Sequence, residues 1–189
     1  MSVITLRARV LQQLWVRILL ILAFAAFTAL TARLRVDLPF TPVPITLQVL
    51  AVLLAGLVLG ARAGAASQIV YVLAITLGAP LDAGGLGTAV WLRPSAGYLP
   101  GFIAGAFVAG YLAAPKRMPT RARRFIAALA GVLTIYLVGA TWLTVGFLGG
   151  NVTAGIMQGV IPFIGIDLVK AFVAAVVAES GAALVKQWK

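Results

Sequence analysis

The sequence predicts an all-α integral membrane protein of six helices. Three observations predict it: an excess of apolar residues, their grouping into six runs, and basic residues that fall almost wholly in the connections between those runs. The chain is 62% hydrophobic and 10% charged, with a mean hydropathy of +1.09, whereas a soluble domain is about half apolar and a quarter charged. Such a chain needs lipid as its solvent. Crossing the roughly 30 Å hydrocarbon core takes about 20 apolar residues, so 189 residues hold six short-looped spans as one transmembrane domain.

The spans are expected near residues 15–32, 45–59, 64–78, 97–114, 125–147 and 162–185. The first follows Arg7, Arg9 and Arg17 and is read as a span, not a cleaved leader. The second and third are short and separated only by Gly60, Ala61, Arg62 and Ala63, so they read as two spans in preference to one merged or re-entrant element. Arg7, Arg9, Arg17, Arg62, Lys116, Arg117, Arg121, Arg123, Arg124, Lys186 and Lys189 fall on the side of the termini, against Arg33, Arg35 and Arg93 opposite. Basic residues stay inside, so both termini are expected in the cytoplasm.

Composition also excludes functions. The net charge of +11 reports orientation and attraction to the lipid bilayer, and no nucleic acid is expected as a partner. Cysteine and histidine are absent, which removes disulfides, thiol nucleophiles and the commonest metal ligand. No phosphate-binding loop, zinc helix or serine elbow occurs, so the chain is expected to be no enzyme and to hold no cofactor or metal.

The chemistry-bearing residues cluster late in the chain. Asp167 and Lys170 lie three apart in the last run, so on a helix they share one face and pair. Charges inside a bilayer are costly and by default face an aqueous cavity or a ligand. Counted from Pro162 at 1.5 Å per residue, the pair sits roughly 8 to 12 Å down the helix, within reach of a ligand entering from outside.

The connection before the fourth span reads PLDAGGLGTAVWLRPSAGYL over 80–99 and is able to fold tightly over a small ligand through glycines such as Gly84 and Gly85. Arg93 suits recognition of a carboxylate through paired N–H donors. Ser95 and Tyr98 offer hydroxyls there, although Tyr98, like Trp91, also fits the aromatic belt at the membrane boundary. Gln48, Ser67 and Gln68 are uncharged polar groups in apolar segments, where bonding between helices accounts for them, and Gln48 is also a ligand candidate. Ala25 and Ala29 form a small-xxx-small stripe that lets helices approach closely.

Three blocks carry a family likeness: PFTPVPITLQVLAVLLAGLVLG at 39–60, GAPLDAGG through RPSAGYLPGF at 78–102, and IPFIGIDLVK at 161–170. With these the chain resembles the BioY family, the biotin-specific substrate-binding (S) components of energy-coupling factor (ECF) transporters. The resemblance implies a six-helix S-component fold in which Asp167 and Lys170 contact biotin, the transported ligand. It also implies partners, a transmembrane scaffold subunit and two ABC-type ATPase subunits, with Ala25 and Ala29 docking onto the scaffold. The chain departs from the family pattern at Arg93, and at Leu86 and Leu99, where some members carry polar residues. On this reading Asp167 accepts biotin's ureido N–H groups, Lys170 donates to the ureido carbonyl or steadies Asp167, and Arg93 meets the valerate carboxylate. A binding subunit for a different vitamin is the alternative, and an intramembrane enzyme using Asp167 and Lys170 as acid and base a more distant one.

Overall fold

A computed structural model describes residues 3–114 and 120–187, with side chains over 13–114 and 121–181. Lys116, Arg117 and Lys189, counted above for orientation, lie outside the described residues, as do the side chains of Arg7, Arg9 and Lys186. The elements are α1 (Val3–Ala32), β1 (Arg35–Val36), β2 (Ile45–Thr46), α2 (Gln48–Leu59), α3 (Ala61–Thr76), a 3₁₀ helix (Gly87–Leu92), α4 (Tyr98–Ala113), α5 (Thr120–Phe147), α6 (Val152–Gly159) and α7 (Ile161–Gln187).

The segments Gln13–Ala32, Arg121–Phe147 and Ile161–Gly181 of α1, α5 and α7 are long and apolar enough to cross a membrane. By contrast α2 has 12 residues and rises only about 18 Å, well short of the hydrocarbon core. The depth it leaves is filled by a two-residue antiparallel hairpin pairing Arg35 with Thr46 and Val36 with Ile45, and by the glycine-rich connection before α4. Irregular backbone survives at membrane depth only where protein buries it or it lines a cavity, and this is where the cavity described below lies.

Two boundaries depart from the hydropathy reading. The second apolar run starts as strand, and its helix begins only at Gln48, because Ile45 and Thr46 are paired with β1. The connection between α5 and α7 holds a further helix, α6, capped by Asn151, whose side chain accepts the Ala154 N–H at 3.0 Å. Between α2 and α3, Gly60 alone makes the turn at φ 81°, a left-handed conformation other residues avoid, and so keeps two helices separate.

Lipid supplies no hydrophobic drive between helices, so packing rests on close backbone approach. A Cβ on Gly56 would strike the Ala106 carbonyl, and one on Gly110 the backbone of Gly60 and Ala61, so α2, α3 and α4 meet almost without side chains between them. Leu53, Ile135 and Leu143 are fully buried between the helices. Leu137 and Leu133 on α5 stay 72% and 66% exposed, an outer apolar surface suited to acyl chains.

Ala25 and Ala29 are 6% and 9% exposed and lie on the side of α1 that also carries the buried Thr28 and Ala32. Their small size lets α1 lie close against its own chain, and the exposed face of α1 carries larger residues such as Leu19 and Leu30.

Candidate functional site

The site begins from one helical spacing. Asp167 and Lys170 share a face of α7, are 2% and 5% exposed, and meet at 2.7 Å between Oδ1 and Nζ. Lys170 also donates to the Thr46 carbonyl at 2.7 Å, tying α7 to the hairpin across the bundle. On the other carboxylate oxygen, the Tyr136 hydroxyl of α5 donates at 2.7 Å. Taking two charges out of water costs several kcal/mol per ion, and these bonds offset part of that. They leave Asp167 acceptor capacity on each oxygen and Lys170 one of its three donors.

The polar chain continues through the hairpin. Thr46 Oγ1 donates to Gln48 Oε1 at 3.1 Å, Gln48 Nε2 donates to the Tyr71 hydroxyl at 2.7 Å, and Tyr71 donates to the Leu81 carbonyl at 3.3 Å. One hydrogen-bonded path therefore joins α5, α7, the hairpin, α2, α3 and the glycine-rich connection.

That connection is organised by Asp82, which is 3% exposed. Its Oδ2 accepts the Gly84 N–H at 2.9 Å, and its Oδ1 accepts those of Leu86 and Gly87 at 2.7 and 2.9 Å. Gly87 holds φ 58°, and a Cβ there would meet the Gly78 carbonyl, so the loop doubles back on itself only with glycine at this position. From α1's end, Arg33 donates to the Pro80 carbonyl, and Arg35, paired with Asp37, donates to the Ala83 carbonyl at 2.8 Å.

These elements enclose a cavity of about 130 Å³. A single water needs about 10 to 15 Å³ on the same measure, so there is room for roughly ten waters or for one small ligand. Asp167, Lys170, Tyr136 and Gln48 form its polar wall. Val43, Pro44, Val49, Leu99, Phe102 and Phe163 form the apolar one, the mixture typical of sites that hold a small molecule. Among the described residues no three of His, Cys, Asp and Glu come together.

Of the residues singled out from sequence, Asp167, Lys170, Gln48, Gly84, Arg93, Ser95 and Tyr98 all border this cavity, and Gly85 does not. Tyr98 is buried, with its hydroxyl donating to the Gly159 carbonyl, so it is a wall residue and not part of an exposed belt. Trp91 donates to Thr76 Oγ1 at 3.2 Å and lies edge-on to Trp142, whose own N–H donates to the Arg93 carbonyl at 3.2 Å and steadies the loop at the cavity mouth. Ser67 and Gln68 lie outside the cavity wall: Ser67 donates to the Gly64 carbonyl of its own helix at 2.7 Å, and Gln68 joins α3 to α1 by donating to Thr28 at 3.2 Å. Tyr136, Thr46 and Asp82 also border the cavity without standing out in the sequence, and Tyr71 backs it through Gln48. For Tyr136 and Tyr71, the available signal was a tyrosine hydroxyl in the middle of an apolar run.

A profile of the BioY family matches residues 6–187. The probable biotin transporter BioY of Pyrococcus horikoshii is 40% identical over 161 residues, covering 85% of this chain and 92% of that protein. The biotin transporter BioY of Rhizobium etli is 39% identical over 156 residues, 77% of this chain and 81% of the relative. That of Thermotoga maritima is 39% identical over 144 residues, 76% and 83% of the two chains. Among solved structures, the S-component for biotin from an ECF-type ABC transporter superposes with a TM-score of 0.80 at 24% identity, covering 91% of this chain and 93% of that one. It shares the fold.

Proposed function

This chain belongs to the BioY family, and from that premise we propose that it is the biotin-binding transmembrane subunit of an ECF-type importer. It is a transport protein and not an enzyme, with biotin as ligand and no cofactor. The observation that carries the reading is the Asp167 and Lys170 couple, buried within the membrane-spanning bundle yet bordering a cavity. A charged pair in lipid otherwise has no reason to keep open space beside it.

In this reading the unused acceptor positions of Asp167 take biotin's ureido N–H groups, while Lys170 steadies the carboxylate and offers its remaining N–H to the ureido oxygen. The apolar wall around Val49, Phe102 and Phe163 receives the thiophane ring, Tyr98 and Ser95 flank it, and Arg93 at the mouth pairs with the valerate carboxylate. Gly84 contributes by letting the loop backbone approach. The chain works as a single multi-pass transmembrane domain of six spans in the plasma membrane, termini cytoplasmic. Energy comes from a separate scaffold subunit with two ATPases, since nothing in this sequence hydrolyses nucleotide.

The deciding experiment is equilibrium binding of labelled biotin to the purified subunit, competed by desthiobiotin, lipoate, riboflavin and thiamine. Saturable binding displaced by biotin and desthiobiotin alone is expected. Displacement by riboflavin or thiamine with no biotin binding would assign the site to another vitamin.

A further inference from the structure

A second concavity lies on the side of the bundle far from the vitamin cavity, between the start of α5 and the end of α7. Along α7 it is bordered by Phe172, Val176 and Glu179, and along α5 by Arg121 and Phe125. The two phenylalanines meet edge to face at 6.2 Å and close its deep end. From Phe172 to Ser180 the groove runs about 12 Å along the helix axis. It is apolar towards the membrane centre and polar towards the termini, the same gradient as one chain and headgroup of a phospholipid.

Charge bookkeeping points to the occupant's sign. The chain has four acidic residues, and each is already engaged. Asp37 pairs with Arg35, Asp167 with Lys170 and Glu179 with Arg124 at 2.7 Å, while Asp82 accepts the N–H groups of its own loop. Glu179, though it borders the groove, is therefore neutralised from the neighbouring turn of α5. Arg121 is exposed and makes no salt bridge among the described residues, and no acidic side chain remains to balance it. Arg121 stands at the start of α5, the depth where anionic lipid headgroups lie and offer a counter-charge.

We propose that this groove binds an anionic phospholipid, its acyl chain along Phe125, Phe172 and Val176 and its phosphate on Arg121. The site is independent of which vitamin the opposite cavity holds. Its role is to fasten α5 to α7 at their termini-side ends, where the Arg124–Glu179 pair is the one ion pair joining the two helices among the described residues.

Native mass spectrometry of the full chain, released from mild detergent and titrated with phosphatidylglycerol or phosphatidylcholine, tests this. The wild-type chain is expected to retain one phosphatidylglycerol in preference to phosphatidylcholine. Arg121→Gln should weaken that lipid about fivefold, the effect of one near-surface basic residue, and remove the preference. Val176→Trp, which fills the groove, should weaken both lipids, whereas the control Arg17→Gln on α1 should change neither. Biotin binding should persist in all three variants, showing that each is folded. Equal retention of the two lipids by wild type, or an unchanged preference in Arg121→Gln, would overturn the proposal. So would Val176→Trp that keeps its lipid but no longer assembles with the scaffold subunit, since the groove would then belong to that partner.

Discussion

Asp82 and Asp167 are buried carboxylates bordering the same cavity, yet they are satisfied in opposite ways. Asp82 spends its acceptors on three N–H groups of its own loop, all within five residues. Asp167 meets one lysine and one tyrosine hydroxyl, the latter from another helix, and keeps acceptor capacity in hand. The first arrangement shapes a wall, and the second leaves something for a ligand to complete. Burial and charge alone do not distinguish the two acids; the count of unused lone pairs does, and it is what the proposed binding role of Asp167 rests on.

The largest effect should follow from breaking the couple on α7. Lys170→Met leaves Asp167 buried without its cation, which costs about 3 to 5 kcal/mol, read as a large fall in melting temperature of the solubilised subunit. Adding Asp167→Asn to it should restore most of the stability but none of the biotin binding. If the double variant binds biotin normally, the division between the two acids fails.

Asp167→Asn alone keeps the shape and removes the charged acceptor, a loss of about 1.5 to 3 kcal/mol, or roughly ten- to a hundredfold in biotin affinity. The melting temperature without biotin should change far less than the binding constant. Unaltered affinity would remove Asp167 from the site.

Asp82→Ala should reverse that ratio. Three donors lose their acceptor, costing about 1 to 3 kcal/mol, and hydrogen exchange at the amides of Gly84, Leu86 and Gly87 should accelerate while biotin, once bound, slows it again. Wild-type exchange rates there would show that the loop does not depend on its aspartate. Smallest of the four, Tyr136→Phe removes one hydrogen bond to Asp167 and should weaken biotin by up to about tenfold, for a cost of about 0.5 to 1.5 kcal/mol. Titration calorimetry on the variant decides it, and a greater loss than for Asp167→Asn would invert the order of roles.

Much of this was legible from residue order alone, for a local reason. Helical spacing puts Asp167 and Lys170 on one face whatever surrounds them, and apolar run length marks α1, α5 and α7 for the bilayer. The early strand in the second run and the extra helix α6 were not legible, because Ile45 and Val152 are equally apolar in strand, helix or loop. Nor was the inward orientation of Ala25 and Ala29, for the small-xxx-small pattern says that helices approach closely without saying which helices.

The sequence by itself determined that the chain lives in lipid, where its long helices run, and that a charged couple sits in the last of them. Only the tertiary structure decided that Tyr136, Thr46, Gln48 and Tyr71 converge on that couple, and that Asp82 closes a loop beside it. In water, an amphipathic stripe tells which side of a helix faces inward. In a bilayer both sides are apolar, and Leu53 in the core looks no different from Leu137 against the lipid, so the facing of each helix is settled by packing between segments distant in the chain.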